Sequence, residues 1–163
     1  VDVLNPGFSV AIGEITSRGS ELDLGVALTK DWQVILALGF QKATTTKDNV
    51  PANVGLEQPN VPNQSGSLWT KYSFSAGEVK GLSIGFGVTY VGERAGQRDS
   101  VPRSFSVPAY TIGNALISYA RAKNKFSLNV ENLTDRRYIM IASARLADPG
   151  EHRNFRLTYT RSF

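Results

Sequence analysis

The sequence predicts an all-β protein, an antiparallel up-and-down meander of about eight strands. Three observations carry that expectation. Apolar residues recur at every second position through most of the chain, the signature of strands with one apolar face. Helical periodicity is nearly absent. Connections alternate between short polar turns and longer loops rich in Pro, Asn, Asp and Arg, so successive hairpins have two unlike ends.

The strands are expected near 1–4, 8–29, 33–45, 65–76, 82–94, 109–121, 125–140 and 151–163. The first is a stub, Val1 to Leu4, followed by the turn Asn5-Pro6-Gly7. In the second, Leu22, Leu24, Val26 and Leu28 share a face opposite Glu21, Asp23, Gly25, Ala27 and Thr29. At about 3.3 Å per residue the run 8–29 reaches roughly 70 Å, long for a soluble sandwich strand. The polar turn Thr29 to Trp32 leads to Val34, Leu36, Leu38 and Phe40. After the loop near 46–64 come Leu68, Thr70, Tyr72 and Phe74, opposite Trp69, Lys71, Ser73 and Ser75. The turn Ala76 to Gly81 precedes Leu82, Ile84, Phe86, Val88 and Tyr90. The strand 109–121 has no clean face. Ile112, Leu116, Ile117 and Tyr119 mix parity, which predicts a bulge or apolar contacts on both sides. Phe126, Leu128 and Val130 follow the turn Ala122-Lys123-Asn124, and Phe155, Leu157 and Tyr159 mark the last strand.

Composition excludes several functions. The 163 residues are 41% hydrophobic and 20% charged, which is not a disordered tail. The chain has no cysteine, hence no disulfide framework or thiolate metal site, and His152 is its only histidine. Net charge is +4, weak evidence for an anionic partner, and basic residues are too sparse for a nucleic-acid surface. No apolar stretch approaches the 18 or so residues of a membrane helix. Glu21 and Asp23 share a strand face, about 7 Å apart. No acid/base partner or cleft accompanies them, and no triad is evident, so the sequence does not predict an enzyme. The chain opens without Met, which suggests a fragment or a processed chain.

Two architectures satisfy the alternation. A soluble barrel turns the apolar face inward; an outer-membrane barrel turns it to lipid and lines its lumen with the polar, glycine-rich face. Aromatics near strand ends (Phe8, Trp32, Phe40, Phe74, Tyr90, Tyr110, Tyr119, Phe126, Tyr138, Phe155 and Phe163) match interfacial girdles, and pattern alone favours the membrane barrel.

Three segments then point to a family. Ile15 to Leu24, ITSRGSELDL, resembles the SRGxE strand of TonB-dependent outer-membrane receptors. Asn129 to Tyr138, NVENLTDRRY, resembles their NVxNLFDKRY element, with Thr134 in place of the aromatic and Arg136 in place of Lys. Pro149 to Phe163 resembles their last strand with its terminal Phe. Leu68 to Tyr72 and Val91 to Arg94 also resemble family segments. The resemblance runs the length of the chain and is greatest to the ferric-siderophore branch.

The resemblance implies that residues 1–163 are the C-terminal portion of a 22-strand transmembrane β-barrel, without its plug domain and earlier strands. It implies an outer-membrane location and a part in active import of ferric siderophores. No cofactor is implied, since iron arrives only as the chelated substrate. Expected partners are outer-membrane lipid, the plug and remaining strands of the parent chain, the TonB complex through the absent N-terminal part, the barrel-assembly machinery and the ferric siderophore. Trp69, Arg94, Arg98, Arg103 and Phe105 are the candidate ligand-binding residues. Phe155, Leu157, Tyr159 and Phe163 are the candidate assembly signal. Arg18, Glu21, Asp23, Lys71 and Glu131 are expected to face the lumen. Two rivals remain at this point: a self-contained eight-strand outer-membrane barrel, and a soluble ligand-binding β-barrel.

Overall fold

A computed structural model describes residues 13–96, 105–143 and 146–163. Seven strands form one antiparallel sheet: β1 (Gly13–Ala27), β2 (Trp32–Asp48), β3 (Gln64–Ser73), β4 (Leu82–Val91), β7 (Tyr110–Arg121), β8 (Asn124–Glu131) and β11 (Asn154–Arg161). Their order across the sheet follows the chain without a crossover. Two small hairpins sit in the long loops, β5 (Arg94–Ala95) with β6 (Ser106–Val107) and β9 (Ile139–Ala142) with β10 (Ala147–Pro149). The stub at 1–4 and residues 8–12 of the expected second strand lie outside the described residues.

The turns explain why one end is tight. Thr29 closes the β1–β2 turn, its hydroxyl accepting from the Asp31 and Trp32 backbone N–H groups at 3.2 and 3.1 Å. Such a hydroxyl supplies the partner a two-ended turn lacks. The β3–β4 turn closes at Gly81, whose φ of +95° suits glycine. Ala122 and Lys123 alone join β7 to β8. Loops 49–63, 92–109 and 132–153 all leave the opposite end.

Register settles which side chains share a face, because directly paired residues point the same way. One row reads Leu24, Leu36, Leu68, Val88 and Gly113; the next reads Val26, Val34, Thr70, Phe86, Ala115, Val130 and Phe155; a third reads Trp32, Tyr72, Ile84, Ile117, Leu128 and Leu157. This face is apolar across all seven strands. Among the described residues nothing covers it: Leu24, Leu68, Ile84, Phe86, Ile117 and Leu157 are all exposed. The buried hydrophobic residues among those described are Ala43, Val107 and Ala142, and none belongs to these rows. A soluble barrel with this face inside is therefore excluded. Within the described residues β1 and β11 form the two open edges, so the sheet does not close on itself as a small barrel would.

The opposite face carries Glu21, Gly39 and Ser65 in one row and Ala27, Gln33, Lys71, Gly85, Leu116, Asn129 and Arg156 in another. Glu21, Asp23, Lys71 and Glu131 face the pore side as expected. Arg18 does not. It pairs with Lys42, on the face of Leu22 and Phe40, because its parity is that of the apolar set. Strand β7 shows no register shift against either neighbour. It is apolar on both sides instead, with Ile117 on the lipid face and Ile112 and Leu116 on the pore face. The expected strand 125–140 ends at Glu131, because Asn132 takes a φ of +50° that breaks the ladder.

Aromatics band the apolar face at both ends. Trp32, Tyr119, Phe126 and Tyr159 lie toward the tight turns, and Phe40 and Tyr90 toward the long loops. The Trp32 indole N–H donates to the Thr70 hydroxyl at 2.7 Å, and the Phe126 and Tyr159 rings lie 4.9 Å apart. Amphipathic rings with satisfied polar tips suit the headgroup level. Tyr110 and Tyr138 leave the expected girdle and stack on each other, 4.2 Å apart, among the loops. Phe155, paired with Val130, sits within the apolar band.

Candidate functional site: the pore face and the loop layer above it

The pore face is kept open by small residues. Trp69 lies on this face halfway along β3, five positions below the loop end. Its ring lies over Gly85 and Gly87: a Cβ at Gly87 would lie 2.3 Å from the indole. The position of Trp69 is therefore fixed from beneath by two glycines, which gives it a packing role in addition to its exposure to the pore. A shallow hollow of about 300 Å³ is lined by Glu21, Asp23, Ala37, Gly39, Ser65, Ser67 and Thr89 among others. It presents two carboxylates and no acid/base partner. Arg156 and Glu131 pair across the same face at 3.7 Å.

The long loops are knitted into one layer. Arg94 is only 3% exposed, and its Nη2 donates to the carbonyls of Ile139 and Met140 at 2.8 and 2.7 Å. Its guanidinium carbon stands 5.7 Å from the Tyr110 ring centroid, a cation–π distance. Asn60 makes a matched pair of bonds with Ala142, donating to its carbonyl at 2.8 Å and accepting from its N–H at 2.9 Å; the Asn60 backbone N–H donates to Ala95. Three loops far apart in sequence thus share one hydrogen-bond network. Phe105 covers Gly96 so closely that a Cβ there would enter the ring. Arg98 and Arg103, between Gly96 and Phe105 in the sequence, lie outside the described residues.

The NVENLTDRRY element is the second latch, and sequence reasoning did not single out its key residue. Asn132 is 2% exposed. Its amide Nδ2 donates to the carbonyls of Arg136 and Glu151 at 2.8 and 2.9 Å, and its Oδ1 accepts from the Arg136 N–H at 2.8 Å. Its own N–H donates to Asn114 Oδ1. A donor and an acceptor on one short side chain, in a left-handed conformation, is a combination Asn supplies best. Tyr138 packs on Gly150, where no side chain would fit. Burial, with the neighbouring Tyr110 phenol and Glu151 carboxylate, holds the Tyr138 phenol above its usual range.

Asp135 completes this latch. It accepts from the Arg153 N–H at 2.8 Å and lies 3.2 Å from His152 Nδ1. Those bonds, the Arg153 N–H first, hold its carboxyl below the ordinary value of 3.8. A depressed folded value means the stabilisation is present above 3.8 and is lost as pH falls through the folded value. Protection factors for amide exchange across residues 132–153, each taken against the intrinsic rate at that pH, should therefore be high at neutral pH and fall in acid. Asp135→Asn should remove that acid dependence and lower the protection factors at neutral pH.

At the C-terminal edge Phe155, Leu157 and Tyr159 all point to the lipid face, with Leu157 75% exposed. Arg161 shares their face but sits beyond Tyr159, opposite Asn124, and its guanidinium lies 5.8 Å from the Phe163 ring centroid. Its charge is at the tight-turn end, at headgroup depth, where it can snorkel to water.

An open sheet with one lipid-seeking face, one polar pore face and a braced loop layer is the wall of a large outer-membrane pore. The model of the family described as TonB dependent receptor-like, beta-barrel matches residues 2–133, and the chain belongs to the TonB-dependent receptors, β-barrel proteins of the bacterial outer membrane. It is 39% identical over 164 residues to the metal-pseudopaline receptor CntO of Pseudomonas aeruginosa, covering 99% of this chain and 23% of that protein. It is 35% identical over 142 residues to the ferrichrome outer membrane transporter/phage receptor of Escherichia coli, covering 81% and 18%. The crystal structure of the siderophore receptor PiuA from Acinetobacter baumannii superposes with a TM-score of 0.77 at 27% identity, covering 91% of this chain and 22% of that one. The chain thus spans about a fifth of the length of these relatives.

Proposed function

We propose that the receptor to which this chain contributes imports ferric siderophores across the outer membrane, driven through its plug by the TonB system. The carrying observation is the braced loop layer above a polar, small-residue pore face, in a chain whose relatives are named as receptors for metal chelates. In this reading the chain supplies wall, pore lining and outer loops, and the chelator rather than any side chain here holds the iron. No step in it breaks or forms a covalent bond, so the chain acts as a transporter part and not as an enzyme. The pore-side apolar residues Ile35, Ile112 and Leu116 offer the plug a packing surface. Arg94 braces the loop layer, and Arg98 and Arg103 with Phe105 meet the anionic chelate; guanidinium groups suit planar oxyanions. Trp69 lines the route below. Phe155, Leu157, Tyr159 and Phe163, on an edge strand with unpaired backbone groups, give the assembly machinery a strand to pair with.

The test is uptake of radioiron by cells whose parent receptor gene carries the changes, with hydroxamate, catecholate and carboxylate chelates offered in turn. Arg98→Ala with Arg103→Ala should raise the half-saturating concentration of the preferred chelate about tenfold, the cost of a lost charge-assisted contact, at unchanged receptor level. Uptake of every chelate independent of the receptor gene would overturn the reading.

A further inference from the structure

The β1–β2 hairpin continues past the apolar band, and its lipid-facing ladder changes character there. Reading toward the long-loop end, the pairs are Leu24 with Leu36, Leu22 with Leu38, Ser20 with Phe40, and then Arg18 with Lys42. Two cations stand directly opposite each other on the membrane side of the wall. Directly opposed like charges destabilise a sheet unless something neutralises them. No carboxylate of the described residues does so: the described ion pairs are Lys47 with Glu14, His152 with Asp135 and Arg156 with Glu131. Glu14, further along the same face, is taken by Lys47 at 2.6 Å and by the Thr46 hydroxyl at 2.9 Å. Glu57, bridged to Thr44, accepts from the Asn63 amide. Glu21 points to the pore. One step along the ladder, Gly19 pairs with Gln41, and a Cβ there would lie 2.2 Å from the Phe40 carbonyl oxygen, so the two strands are held close beside the cation pair.

The height of the pair identifies what faces it. Arg18 and Lys42 lie one outward-facing position above Phe40, about 7 Å along the strand. Phe40 marks the hydrocarbon boundary, and the headgroup layer is about 5–7 Å deep on each side of a bilayer. Both cations are therefore level with the phosphates of the outer leaflet. We propose that Arg18 and Lys42 form a membrane-facing clamp for the phosphate of an anionic outer-leaflet lipid, with the guanidinium fork taking two oxygens and the ammonium a third. The lipid would then relieve the cation pair's repulsion and stiffen the tall hairpin.

The full-length receptor carries the test, in phosphatidylcholine nanodiscs with and without diphosphoryl lipid A. Native mass spectrometry counts retained lipid A, and urea unfolding reports stability. Arg18→Gln with Lys42→Gln should weaken binding of one lipid A at least tenfold, and in phosphatidylcholine alone the variant should be as stable as the parent or more so. Millimolar inorganic phosphate should not substitute for the lipid. Unchanged lipid A retention by the double variant would overturn the proposal. So would a variant less stable than the parent without anionic lipid, because that outcome makes the pair a structural element of the hairpin. Equal protection by free phosphate would also overturn it, leaving a soluble anion site in place of a lipid one.

Discussion

Leu68→Arg in the full-length receptor should destabilise the barrel by about 2–4 kcal/mol in lipid vesicles, the cost of a cation near the bilayer midplane. Leu68 lies midway along β3, flanked on the lipid face by Leu36 and Val88. Its stem cannot reach either headgroup layer without distorting the wall. Ser67→Arg, one residue away, points to the pore between Ala37 and Thr89 and should cost far less, because water or plug polar groups meet the charge there. The pair isolates orientation from propensity, since strand position and new residue are held constant. Urea unfolding midpoints of folded receptor in vesicles give the comparison. Equal costs at the two positions would mean the faces do not differ in their surroundings.

Asn132→Ala should cost on the order of 3 kcal/mol in the loop layer, through two abandoned carbonyls, one abandoned N–H and a left-handed backbone that alanine tolerates poorly. The loss should be local. Proteolysis and hydrogen exchange should open residues 132–153 while the strands β7, β8 and β11 keep their protection. Asn132→Asp should cost at least as much at neutral pH, because it keeps the acceptor for the Arg136 N–H but turns a buried carboxylate oxygen onto the Arg136 and Glu151 carbonyls. Global unfolding by Asn132→Ala, or no change in the loop, would contradict the latch.

The strands and their faces were legible because a period of two survives any curvature of the sheet, and Leu36, Ile84 and Leu128 fall on one face as the alternation requires. Arg18 went astray for an instructive reason. Charge suggested the lumen, whereas parity with Leu22 and Leu24 sends it to the membrane side, above the greasy band where a cation is tolerated. The expected strand 125–140 ran past the end of β8 because it took in the start of β9 (Ile139–Ala142), which lies beyond the turn at Asn132. The loop layer was out of reach altogether. Asn60 meets Ala142, and Arg94 meets Ile139, across separations that no local pattern records. Arg94 was legible as a basic loop residue, but its burial depends on carbonyls some 45 residues away.

The most direct test places a spin label at single cysteines in the full-length receptor in vesicles, at Leu36→Cys, Ile84→Cys and Leu128→Cys, and at their neighbours Ala37→Cys, Ser83→Cys and Ser127→Cys. Labels at the first three should collide mainly with oxygen, which concentrates in hydrocarbon. Labels at the second three should collide mainly with a water-soluble nickel chelate or be shielded by the plug. Nickel access at Leu36, Ile84 and Leu128 with oxygen access at their neighbours would turn the wall inside out and remove the basis for an outer-membrane pore.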